Sequence, residues 1–132
     1  MTEPDRPSED EGIDALFDLG IERAIASLPA PFAERLGSVA IVIEDEPTPD
    51  QLASVGAAGL YGLYQGVPRT AFGADAAPIP SKITIFRGPL VRSSRDPDAL
   101  VAAVEDTVLH EIAHHFGISD DRLRELERER RR

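Results

Sequence analysis

The sequence predicts an α+β domain in which a small mixed β-sheet packs on helices. Three observations lead there. Apolar residues recur at helical spacing between Gly12 and Leu28. Short runs of strand character occupy the middle of the chain. A capped helical stretch from Asp96 to about Phe116 then carries all 3 histidines.

In order, residues 1–10 are rich in Pro, Ser, Glu and Asp and cannot bury apolar area, so they read as a disordered acidic tail. Residues 11–132 read as one domain, enough chain for a single core but not for a second lobe. In the first helix, Ile13, Leu16, Phe17, Ile21, Ala24, Ile25 and Leu28 share the apolar pattern, and Pro29 and Pro31 end it. A short helical turn follows at Phe32 to Leu36, before Gly37. Val39-Ala40-Ile41-Val42-Ile43 is apolar and β-branched, which suits a strand buried on both faces.

Thr48 and Pro49 read as the cap and first position of a short helix that stops near Gly56. Leu60 to Tyr64 reads as a second strand, although glycines interrupt it. Gly66 to Ser81 has three prolines and only scattered apolar residues, a loop or lip. Lys82 to Phe86 reads as a third strand, ended by Gly88-Pro89. Asp96-Pro97 opens the long helix, Gly117 suits the left-handed position that ends it, and Ser119 caps a last helix reaching about Arg130.

The main apolar stripe of the long helix is Val101, Val104, Val108 and Ile112. At about 100° per residue, His110 and His114 point roughly 180–220° away from Val101. They therefore face a cleft, with Ala103 and Thr107 on their side leaving room for a substrate. Residues four apart stand one turn above each other, so His110 and His114 can offer two imidazole nitrogens to one Zn²⁺. Glu111 between them is placed to hold and deprotonate a water on the metal. Gly117 can turn the chain back so that Asp120 supplies a third ligand, leaving a fourth position open, the layout of a catalytic zinc site.

Several neighbours carry alternatives. Asp121 would replace Asp120 if the turn were one residue longer. His115 lies about 100° round the helix from His114 and so points elsewhere. Asp106, one turn before His110, reads as a solvated carboxylate or as a partner to a ligand. Tyr61 and Tyr64 are the only phenols, and either could stabilise an oxyanion or contact substrate; their plainer reading is strand packing.

The segment Thr107 to Leu123 resembles the active-site helix of zincin-type metallopeptidases, in the form His-Glu-x-x-His-x-x-Gly-x-x-Asp. Together with Val39 to Pro47, Gly59 to Pro68 and Ile83 to Arg87, it is similar to a family of small bacterial minimal zincins, across most of residues 12–126. That resemblance implies a minimal zincin-like fold, one zinc on His110, His114 and Asp120, and Glu111 as general base of a zinc metallopeptidase. The chain departs from the larger metzincins, which place a methionine turn beneath the metal: its 1 methionine is Met1.

Composition narrows the partners. The net charge of −10 argues against nucleic acid, since phosphate binding needs a basic surface. With 0 cysteines, metal binding must rest on histidine and carboxylate. No stretch approaches a membrane span, and the N-terminus has neither a basic nor an apolar signal region, so a cytoplasmic protein is expected. The expected partner is a peptide or protein substrate lying along an edge strand, with a monomer favoured. The rival reading is a zinc-binding module of the same fold with little or no hydrolysis.

Overall fold

The computed structural model describes residues 9–36, 39–55, 60–66, 81–119, 121, 122, 125 and 128. Its elements are α1 (Glu9–Ala26), α2 (Ala30–Arg35), β1 (Ala40–Glu44), α3 (Pro49–Val55), β2 (Gly62–Gln65), β3 (Lys82–Phe86), α4 (Arg87–Ser93) and α5 (Pro97–Phe116). The α+β architecture read from the sequence is the one observed: a mixed three-stranded sheet packed against helices. Helix α1 starts at Glu9, so the last two residues of the stretch read as a tail belong to its first turn. Residues 1–8, and residues 67–80 of the expected lip, lie outside the described residues.

The strand order is β1-β3-β2, with β1 parallel and β2 antiparallel to β3. Ile83, Thr84, Ile85 and Phe86 of β3 are all fully buried, as a central strand requires. This corrects the expectation for the Val39–Ile43 run. Strand β1 is an edge strand: Ile41 and Ile43 pack on the core, whereas Ala40 is exposed and Val42 is only half-buried. An unbroken apolar run fits either position, because it records apolarity and not the number of neighbouring strands.

The structure adds α4, where the sequence reading had only a strand stop. Arg87 and Gly88 open the helix directly after β3, and Pro89 falls in its first turn. No intrahelical acceptor exists for the first-turn N–H groups, so proline there costs no hydrogen bond. Nearby, Thr48 and Gln51 form a reciprocal cap at the start of α3, at 2.8 and 3.1 Å.

The core lies between the sheet, α1 and α5. Phe17, Ala24 and Leu28 of the α1 region meet Val104, Val108 and Ile112 of α5 with the β3 isoleucines beside them. Gly20 permits the close approach of the two helices: a Cβ there would stand 2.6 Å from Val104 Cγ1. Among the described residues, no helix is long and apolar enough to cross a membrane.

Candidate metal centre

Helix α5 is fixed at both ends. The Ala99 amide donates to Asp96 Oδ1 at 2.7 Å, and Pro97 takes the first helical position. At the other end Gly117 is left-handed, with φ 68° and ψ 29°. Its N–H donates to the His114 carbonyl at 3.1 Å, and the Ile118 N–H donates to the Ala113 carbonyl at 3.0 Å. That paired closure is the glycine-dependent helix ending expected from the sequence.

Between these caps the stripe is buried as expected: Val104, Val108 and Ile112 are 0% exposed. His110 and His114 lie on the other side, their side chains 47% and 51% exposed. Their ring centroids are 4.5 Å apart. Glu111 stands between them, with Oε1 3.2 Å from His114 Nδ1 and Oε2 3.8 Å from His110 Nε2. One ligand atom from each of the three residues falls within 4.8 Å of the others, a span that one metal ion could bridge.

Glu111 differs from the histidines in being only 4% exposed. It lies seven residues after Val104, two helical turns along the same face, which is why its stem is covered. Strand β2 completes the cover. A Cβ on Gly62 would stand 3.3 Å from Glu111 Cγ, so the missing side chain leaves room for the carboxylate. The Tyr64 amide donates to that carboxylate. Burial raises the Glu111 pKa above the ordinary carboxylate value, against the opposing pull of the His114 and His110 charges and of hydrogen bonds from His114 and the Tyr64 amide.

Asp120, the expected third ligand, lies outside the described residues. Asp121 is exposed at the start of the last helical stretch, which Ser119 Oγ caps by accepting from the Arg122 amide at 3.1 Å. Asp106 is exposed on α5. Tyr61 is 50% exposed and lines a separate cleft of about 440 Å³ at the end of the sheet, with Leu52, Leu60 and Arg92 among its walls. The Tyr64 phenol turns to His115, at 3.1 Å from Nδ1, and to Ser81 Oγ, at 3.0 Å.

His115 is the residue whose place the sequence reading described least. It is 0% exposed and packs edge-on against Tyr64 and Phe116. The signal was available: His115 stands seven residues after Val108 and fourteen after Val101, in line with the buried stripe.

A family model described as zincin-like metallopeptidase matches residues 36–130. The chain belongs to the zincin-like metallopeptidase family. The match takes in the sheet, α5 and its His-Glu-x-x-His run, so the zincin-like fold and the candidate metal centre come from the same stretch of chain. No curated protein sequence matches the chain. Among solved structures, a conserved hypothetical protein from Thermo thermophilus is similar, at 26% identity and a TM-score of 0.50, over 79% of this chain and 92% of that one.

Proposed function

We propose that the protein is a zinc-dependent metallopeptidase, with His110, His114 and Asp120 holding one zinc and Glu111 acting as general base. The observation that carries this reading is the pairing of two exposed imidazoles with a buried carboxylate set between them at 3.2 and 3.8 Å. The donor set fits zinc: two imidazoles with a carboxylate to complete them, in a chain with 0 cysteines. Zinc, when bound, supplies a Lewis acid that brings the pKa of water toward neutrality and polarises a carbonyl.

The chain's own groups do the rest. His110 and His114 stay on the solvent side of α5, so a substrate can reach them without opening the core. Glu111 takes a proton from the attacking water and passes it to the leaving amine. Its burial favours the protonated form and so strengthens it as a base. The Tyr64 amide and His114 orient the carboxylate through their hydrogen bonds.

Strand β2 offers a place for the substrate. It lies at the sheet edge beside Glu111. The Phe86 amide donates to the Tyr61 carbonyl at 2.9 Å, which sets the register so that Gly62 and Tyr64 turn their backbone groups away from β3. An extended peptide could pair there through the Gly62 backbone with little side-chain preference.

The test is zinc content with peptide cleavage on chelator-treated and zinc-restored protein. The reading expects about one zinc per chain and zinc-dependent cleavage of flexible peptides. Zinc uptake without cleavage would favour the zinc-binding module, and no uptake at micromolar zinc would exclude both.

A further inference from the structure

Tyr64 touches α5 at two points one helical turn apart. Its phenol meets His115 Nδ1 at 3.1 Å, and its amide donates to the Glu111 carboxylate. Glu111 and His115 are four residues apart, so both contacts fall on one face of α5. The phenol also meets Ser81 Oγ at 3.0 Å, just ahead of β3. His115 is 0% exposed, and its ring meets the tyrosine ring edge-on at 5.6 Å. With His115 wholly buried and Tyr64 half-buried, this hydrogen bond is partly shielded from water, which strengthens it relative to one on the surface.

Elsewhere on β2, Gly62 packs its backbone against Thr107 but offers α5 no side-chain hydrogen bond, and Gln65 is exposed. Strand β2 has β3 on one side only in the described sheet. Without the phenol contact, the strand could roll about its hydrogen bonds to β3 and carry the Tyr64 amide away from Glu111.

We propose that Tyr64 is a positioning residue: the bond between its phenol and His115 latches β2 onto α5, so that the Tyr64 amide holds the Glu111 carboxylate between the two exposed imidazoles. The inference rests on the reading of Glu111 as the general base. It gives His115 a part in the site although it is not a ligand. The Tyr64 phenol acts through the strand and need not touch the substrate.

Tyr64→Phe tests this by removing one oxygen and little volume. The direct readout is the amide resonance at position 64 by NMR of metal-free protein, with and without Glu111→Gln. In wild type, at a pH high enough to ionise the Glu111 carboxyl, Glu111→Gln is expected to move that amide proton upfield, because a charged acceptor becomes a neutral one. In Tyr64→Phe the amide is expected to lie upfield already and to respond weakly to the second change.

With zinc restored, Tyr64→Phe is expected to keep its zinc and its KM while kcat falls about tenfold, the scale for losing an outer partner of a metal site. His115→Asn keeps a polar atom near the Nδ1 position and should preserve the wild-type amide signal, whereas His115→Leu should reproduce Tyr64→Phe. The proposal is overturned if the amide in Tyr64→Phe keeps its wild-type position and responds fully to Glu111→Gln. Because that signal is read without metal or substrate, a wild type that cleaves no peptide would defeat the hydrolase reading and leave the NMR result to decide this one.

Discussion

Gly62 and Thr107 approach each other more closely than any side chain at position 62 would allow: a Cβ there would stand 2.7 Å from Thr107 Cγ2. The edge strand thus lies directly on α5, one turn before Glu111. Gly62→Ala should force the strand off the helix and destabilise the fold by about 1–3 kcal/mol, the usual cost of overpacking. Thr107→Ser removes the obstructing methyl and should restore part of that loss in the double variant. Urea midpoints of the two single variants and the double variant check this; additive losses would show that the contact is not the cause.

Gly117 is the second glycine whose replacement should be felt, because its φ of 68° lies where a β-branched residue is strained. Gly117→Val should cost about 1–3 kcal/mol and weaken zinc binding, since the proposed third ligand, Asp120, follows this turn in the sequence. Wild-type melting temperature and zinc affinity in this variant would contradict the role given to the turn.

The third ligand is open to a direct comparison. Asp120→Ala should weaken zinc binding strongly and leave the metal-free fold intact, whereas Asp121→Ala, at an exposed position, should do little. Equilibrium dialysis on both variants decides the matter. The opposite order would place the ligand one residue further along.

Legibility followed the kind of signal each segment carries. Helix α5 was readable because its cap, its apolar period and its terminal glycine agree on one element. The position of His110 and His114 away from the core followed from that period alone. For β1 the signal was apolarity, which reports burial but not whether a strand is central or at an edge. Helix α4 was hidden because Gly88-Pro89 reads as a stop, although proline is as well suited to a first helical turn. The Tyr64–His115 contact joins residues far apart in sequence, and neither residue's local pattern names its partner.

Glu111 makes the metal-free protein sensitive to pH in a definite direction. Its folded pKa is raised, so the folded chain holds the proton more tightly than the unfolded chain. That contribution to stability is complete at pH below the unfolded carboxylate value and is lost as pH rises through the raised one. Glu111→Gln cannot ionise, so its melting temperature in chelator should gain on wild type as pH rises toward neutrality. A difference that stays constant or narrows with rising pH would contradict the assignment.

The central claim is that the buried carboxylate between the two histidines does chemistry and is not a ligand. The most direct measurement is zinc content and peptide cleavage for wild type and Glu111→Gln, each stripped with chelator and then restored with zinc. The account predicts equal zinc in both proteins and a fall in turnover of about 10² or more in the variant, the scale of a lost general base. Equal cleavage by the two zinc-loaded proteins would contradict it.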